Sequence, residues 1–215
     1  MARHTVQVPA GTTQFYRLPD DVTGEVELLV GRDAALTCFM PFWKGSRSLR
    51  IVARLQDRGA SARLYGVFLG RNGDRVALSM ETIHEAPATT GLTLLRSVLD
   101  DESVFDFDGM IRILPDAQQS DDILREHALL LSPRAVANAV PALEIQADDV
   151  RAAHAATAGR LDDEQVFYLQ SRGVSERQAA HLIVQGFLDT VVRELDDRTL
   201  ATEVGQRVDQ LFQRT

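Results

Sequence analysis

His154 is the side chain whose surroundings best suit metal chemistry. It lies between two alanine pairs, Ala152-Ala153 and Ala155-Ala156, so little side-chain bulk crowds the imidazole. An imidazole binds iron well through either ring nitrogen. The alternative is a structural histidine, hydrogen-bonded where the strand region of the chain meets its helical end. The residue types alone leave both interpretations open.

Two further residues bear on metal binding. Glu126 offers a carboxylate, a hard ligand that can bind iron, and its alternative is a solvated charge at the start of a strand. Cys38 is the one cysteine in the chain, which excludes an internal disulfide. It lies in an apolar segment, residues 36–40, where a free cysteine packs as a small hydrophobe. We therefore expect that any centre needing several thiolates takes them from another molecule.

The chain carries none of the sequence signatures of common enzyme sites. The HExxH zinc motif, the CxxC pair, the glycine-rich phosphate loop and the GxSxG nucleophile motif are all missing. His127 and His181 are not spaced to share a metal. The acid pairs Asp121-Asp122 and Asp148-Asp149 would point apart on a strand or loop, so we interpret them as turn and cap residues. We predict that the protein is not an enzyme.

Composition limits the partners and the compartment. The net charge of -8 argues against a nucleic-acid interface, which needs a basic surface to neutralise phosphates. The N-terminus lacks the apolar core of a signal peptide, and no apolar run approaches the roughly 20 residues that span a bilayer. A single cysteine fits a reducing cytosol. The expectation is a cytoplasmic protein with no nucleic-acid and no membrane partner.

Alternating strands dominate the first two thirds of the chain. Ser48–Gln56 and Arg75–Ile83 place apolar residues at every second position, which is the period of half-buried strands. This pattern predicts an all-β core over residues 1–160, built as a sandwich, a barrel or a β-helix, and periodicity cannot choose among these. The many arginines between Lys44 and Arg75 predict a basic ladder on one solvent face, or else a plain solubilising face.

The period changes near residue 161, which predicts a C-terminal α-helical subdomain over residues 161–215. Asp162 and Ser175 are suited to cap two helices, and Gly173 stands where the first would end. A third helix is predicted from about Thr199. In the second helix, apolar residues three or four positions apart predict one buried stripe. Its members are Ala179, Leu182, Ile183, Gly186, Phe187 and Val191.

The order and spacing of several short motifs resembles the SufB/SufD family, the scaffold proteins of the SUF iron–sulfur cluster assembly system, and SufD more than SufB. The matching pieces are Pro141-Ala-Leu-Glu-Ile145, Asp149-Val150, His154-Ala-Ala-Thr157, Phe167-Tyr-Leu169, Ser171-Arg-Gly173 and Gly186-Phe187. The match can be followed over residues 83–195, whereas residues 1 to about 80 match only as generic strands. The resemblance implies a short right-handed β-helix followed by helices. Usual members are longer, with an N-terminal helical region and more turns that would be absent or shortened here.

The resemblance also implies roles for particular residues. His154 would lie at a SufB–SufD type of interface and help to hold a nascent cluster. Glu126 falls where SufB carries its essential cysteine, which implies SufD-like character or a lost cluster site. An iron–sulfur cluster or iron would then be transient and shared with a partner. The helical end would dock a SufC-like ABC ATPase through apolar and aromatic anchors. The candidate anchors are Phe167, Tyr168, Leu169, Arg172 and Phe187.

Several functions remain to be separated. The first is a scaffold component of an iron–sulfur cluster assembly complex, working as a homodimer or as a heterodimer with a SufB-like protein. The second is an interaction protein that keeps the β-helix without cluster chemistry, with helices that simply cap the open end of the β-helix. The third is a small-molecule-binding protein of cupin-like type, for which the expected set of several metal-binding histidines is missing.

Overall fold

The computed structural model describes residues 3–213, whose strands stack as a parallel β-solenoid of about five turns. Two six-stranded parallel sheets, called sheet A and sheet B, form its walls. Sheet A contains β1 (Arg3–Val8), β3 (Gly24–Val30), β5 (Arg47–Leu55), β7 (Arg75–His84), β9 (Val104–Ile113) and β11 (Val136–Ile145). Sheet B contains β2 (Thr13–Arg17), β4 (Ala35–Phe42), β6 (Ser61–Gly70), β8 (Thr90–Leu99), β10 (Asp121–Leu130) and β12 (Arg151–Arg160). The predicted β-helix is confirmed.

The solenoid interior is built from columns of stacked side chains. Each strand pairs in register with the strand one turn away, so Leu49, Leu78 and Phe107 lie above one another and all three are buried. The inward alternation predicted for β5 and β7 is therefore confirmed. Cys38 stacks on Leu64 in the same interior, and burial raises the pKa of its thiol to about 12. At neutral pH this cysteine is a protonated packing residue.

A buried polar network interrupts the apolar interior beside the last turns. His84 Nε2 lies 2.9 Å from Asp122 Oδ2, and His84 Nδ1 lies 2.7 Å from Thr89 Oγ1. Thr89 in turn lies 2.7 Å from Ser120 Oγ. Gly91 makes room for this network, because a Cβ there would lie 2.3 Å from the Asp122 carboxylate. The interpretation of Asp122 as a turn or cap residue was wrong: it points into the core and pairs with His84.

In the described range, three helices follow the strands: α1 (Asp163–Ser171), α2 (Glu176–Leu195) and α3 (Arg198–Phe212). The predicted caps are confirmed, since Asp162 and Ser175 accept backbone N–H bonds at the starts of α1 and α2. Helices α2 and α3 pack on the outer face of sheet B, where apolar side chains of β4, β6 and β8 form a second core with them. Trp43 Nε1 donates to Glu203 of α3 at 2.9 Å and fixes this packing.

This placement corrects two expectations about the helices. They lie along the side of the solenoid, so the idea that they cap its open end was wrong. The predicted stripe of α2 was also partly wrong, because Leu182 is 47% exposed. The face buried against sheet B is rotated from that stripe and comprises Ala179, Val184, Leu188, Val191 and Val192. Helical spacing shows which residues form an apolar face, but it does not show which neighbour covers that face. Helix α2 packs against sheet B on one side and against α1 on another.

The predicted basic ladder was wrong for the outer face of sheet A, because its arginines pair with glutamates. Arg50 lies 2.8 Å from Glu81, and Arg54 lies 2.6 Å from Glu85 and 3.1 Å from Glu27. Strand stacking thus interleaves arginines with glutamates from neighbouring turns into a mixed ion-pair ladder. Among the helices within residues 3–213, none is long and apolar enough to cross a membrane.

Candidate functional site: the open end of the solenoid

The last turn of the solenoid is uncovered, and β11 and β12 together are called the open end here. Each is the outermost strand of its sheet, so within residues 3–213 no further strand pairs with its free edge. Leu143 and Ile145 are 38% and 44% exposed, although Ile111 and Ile113, their neighbours one turn below, are buried. An apolar interior therefore continues directly into an exposed surface, which is the usual mark of an interaction site.

His154 lies on the inward side of this open end. It pairs in register with Leu124, a buried interior residue of β10, so strand alternation directs the imidazole over the core. The side chain is exposed, because no turn of the part of the chain that the structure describes lies beyond β12 to cover it. Within residues 3–213 it makes no hydrogen bond, so the alternative of a hydrogen-bonded structural histidine is not supported. Small neighbours, Ala152 and Ala156, leave the ring accessible.

Glu126 lies one turn below, inside the solenoid. It is only 1% exposed, in the middle of β10, and Ser97 Oγ donates to its Oε1 at 3.2 Å. The alternative of a solvated charge at a strand start was therefore wrong. Burial raises the pKa of Glu126 to about 7, while the Ser97 hydrogen bond and the charge of Arg96 oppose the shift. Near neutral pH this carboxyl can gain or lose a proton.

The register relates the two candidate ligands. Glu126 pairs with Ala156, two residues along β12 from His154, so both side chains are on the inward side of neighbouring strands. Strand spacing and rise place their Cα atoms about 8 Å apart. Within residues 3–213, no three His, Cys, Asp or Glu side chains cluster closely enough to hold a metal ion. The open end offers part of a ligand set, at a surface where a second protein can supply the rest.

The candidate anchors on the helices divide into two groups. Phe167 and Tyr168 are 72% and 57% exposed on α1, and the guanidinium of Arg172 lies 5.2 Å from the centre of the Tyr168 ring. Leu169 is half-buried and lines a groove of about 410 Å³ together with Tyr168. Phe187 differs, because it is partly buried against sheet B with Arg96 5.4 Å from its ring centre. Helix α1 therefore presents the open aromatic surface, and Phe187 lines the adjoining crevice.

Replacing Glu126 by glutamine should remove a pH dependence of stability. The pKa of Glu126 rises from its ordinary value of 4.5 to about 7 on folding, so the folded state holds a proton that the unfolded state releases. Stability therefore falls by about 3 kcal/mol as pH rises through that window and levels off above it. Urea unfolding at pH 5, 6, 7 and 8 measures this. The free energy of unfolding of Glu126→Gln minus that of the wild type should increase with pH, because only the wild type loses stability, and parallel pH curves for the two proteins would contradict it.

The chain is therefore a parallel β-solenoid protein with an open last turn and with helices along one sheet. The chain belongs to the SufBD core family, since residues 23–187 match the domain described as "SUF system FeS cluster assembly, SufBD core domain". The match begins at residue 23, so the view that the first 80 residues are generic strands was too narrow: most of them belong to the family core.

Curated relatives agree with this assignment. The chain is 36% identical over 117 residues to the iron–sulfur cluster assembly protein SufD of Escherichia coli, covering 54% of this chain and 28% of that protein. It is 36% identical over 129 residues to SufD of Bacillus subtilis, covering 60% and 30%. A SufBD family protein of Mycobacterium leprae is 32% identical over 177 residues, covering 78% and 45%. The chain thus spans less than half the length of each of these relatives.

Proposed function

We propose that this chain is a scaffold in an iron–sulfur cluster assembly complex and does not itself catalyse a reaction. The observation that carries the proposal is the open end, where an accessible histidine stands above a buried carboxylate at an exposed apolar edge. Iron or a nascent cluster would be cargo at this edge. His154 would contribute one ligand, and Glu126 would contribute a carboxylate when deprotonated. Thiolates would come from the partner, because Cys38 is buried in the core.

The open end supplies the pairing surface for a second solenoid. An exposed strand edge and an exposed apolar interior are both satisfied when another solenoid of the same kind stacks on them. A second copy of this chain or a SufB-like relative fits this description, which gives a homodimer or a heterodimer. In either assembly His154 would become part of a joint between two proteins, so the cargo would be shared.

The helices supply the surface for a SufC-like ABC ATPase. Phe167 and Tyr168 have the large, rigid, exposed rings that dominate interface energetics. The last strand of the solenoid, β12, ends at Arg160 and α1 begins at Asp163, so a two-residue link joins the strand of His154 to this helix. Movement of α1 by an ATPase would therefore act directly on the open end. Titration of purified ATPase into the chain tests this docking, and no binding at any salt concentration would contradict it.

Introducing lysine at Leu143 should prevent pairing through the open end. Leu143 is on the inward side of β11 and 38% exposed, so a lysine can keep its stem over the core while its charge enters the joint. Val140 is the matched control, because it is on the outer side of the same strand and 64% exposed. Analytical ultracentrifugation at high micromolar concentration, with and without a SufB-like partner, measures the assembly. Leu143→Lys should be monomeric and Val140→Lys paired. A wild-type protein that is monomeric in both settings would overturn the pairing proposal.

A further inference from the structure

Helix α1 carries two acid–aromatic columns on its exposed side. Phe167 follows Asp163 by four residues, and Tyr168 follows Glu164 by four, so each ring is one helical turn from a carboxylate. Helical side chains lean toward the N-terminus, which directs both rings toward those acids. No residue of α1 is buried, so both columns face outward.

Each column has the chemistry that receives a cation. An aromatic face attracts arginine or lysine, and a neighbouring carboxylate adds charge attraction. The molecule shows this preference within itself, because the Arg172 guanidinium lies 5.2 Å from the centre of the Tyr168 ring. Within residues 3–213, neither Asp163 nor Glu164 forms an ion pair. Acids in a first turn also favour the helix dipole, but that role does not require exposed aromatic rings one turn later.

We propose that the ATPase partner presents arginine or lysine side chains to the Asp163–Phe167 and Glu164–Tyr168 columns. The inference rests on the proposed docking of that ATPase to α1 and adds the chemistry of its surface. A purely apolar partner would bury the two rings while leaving both carboxylates desolvated and unpaired, which is costly. A partner with basic residues around an apolar pocket satisfies rings and acids together. Arg172 then acts as a positioning residue that fixes the Tyr168 ring before docking.

Neutralising the two acids tests the charge half of the columns. The variant Asp163→Asn with Glu164→Gln keeps the Asp162 cap and both rings. The matched control is Glu176→Gln, which removes an acid from the first turn of α2, where the residues one turn later are alanines 179 and 180. Binding of the purified ABC ATPase is measured by calorimetry at low and high salt. The neutralised protein should bind about tenfold more weakly at low salt, with the difference shrinking at high salt. The control should match the wild type.

Replacing Phe167 by leucine tests the ring. Leucine keeps apolar bulk but offers no π face, so binding should weaken about fivefold at both salt concentrations. Circular dichroism and the fluorescence of Trp43, buried between the helices and sheet B, confirm that each variant is folded. Wild-type-like affinity and salt dependence of the neutralised variant would overturn the columns while leaving ATPase docking intact. Failure of the wild type to bind the ATPase overturns the docking itself. Loss of self-association in the neutralised variant, with unchanged ATPase binding, would assign the columns to a second copy and also overturn the proposal.

Discussion

Replacing His84 by alanine is expected to destabilise the protein by about 3–5 kcal/mol. The imidazole is fully buried and lies 2.9 Å from Asp122, which is also fully buried. Desolvation by burial raises the pKa of Asp122, while the hydrogen bond and charge of His84 hold it down. Removal of the ring leaves the Asp122 carboxylate without its histidine partner and takes away one of the hydrogen-bond partners of the Thr89 hydroxyl, in a site that also loses packing volume. Urea unfolding followed by circular dichroism measures the free energy of unfolding.

Two variants decide whether the buried pair is responsible. His127→Ala is the matched control, because His127 is partly exposed and its ring lies 2.7 Å from the hydroxyl of Thr157 on the edge strand β12. It should cost less than about 1 kcal/mol. Removing both partners, His84→Ala with Asp122→Ala, should recover part of the loss, since no buried charge is left unpaired. A His84→Ala protein as stable as the His127→Ala control would contradict this account.

The elements of the fold were predictable because they depend on local chemistry. Alternation in β5 and β7, the capping side chains of Asp162 and Ser175, and the left-handed Gly173 each depend on residues close in sequence. The stacking of strands in register depends on residues far apart in sequence. Periodicity could not distinguish a β-helix from a sandwich or a barrel, and the resemblance to a family indicated the β-helix.

The predictions that were wrong share one physical cause. Each concerned which side of a strand or helix packs against which neighbouring element. Asp122, Leu124 and Glu126 occupy every second position of β10, so the period of a strand could have placed all three on the same inward side. Charged residues are seldom interior, so composition favoured solvent. Arg50 and Arg54 meet glutamates that lie 27 or 31 residues away in sequence, one turn along the solenoid. Only the register brings these charges together.

The candidate site shows the same division. The small neighbours of His154 predicted an accessible ring, and the structure shows an exposed one. That the ring stands over the core, one turn above a buried carboxylate, required knowing that β12 is the last strand of sheet B. The alternative, a solenoid that binds partners without cluster chemistry, shares every one of these structural features and differs only in what the joint holds.

Iron and acid-labile sulfide in the assembled complex therefore test the central claim most directly. Three proteins are compared: the wild-type chain, His154→Ala and the control His127→Ala. Each is purified anaerobically with the ATPase and a SufB-like partner, and iron and acid-labile sulfide are measured per complex. His154 is exposed and makes no hydrogen bond within residues 3–213, so its replacement should leave the fold and the ATPase contact unchanged. Loss of a ligand should lower iron and sulfide on the order of tenfold, with the control at wild-type level. Equal iron and sulfide in all three complexes would contradict the claim and identify the open end as a surface for partners alone.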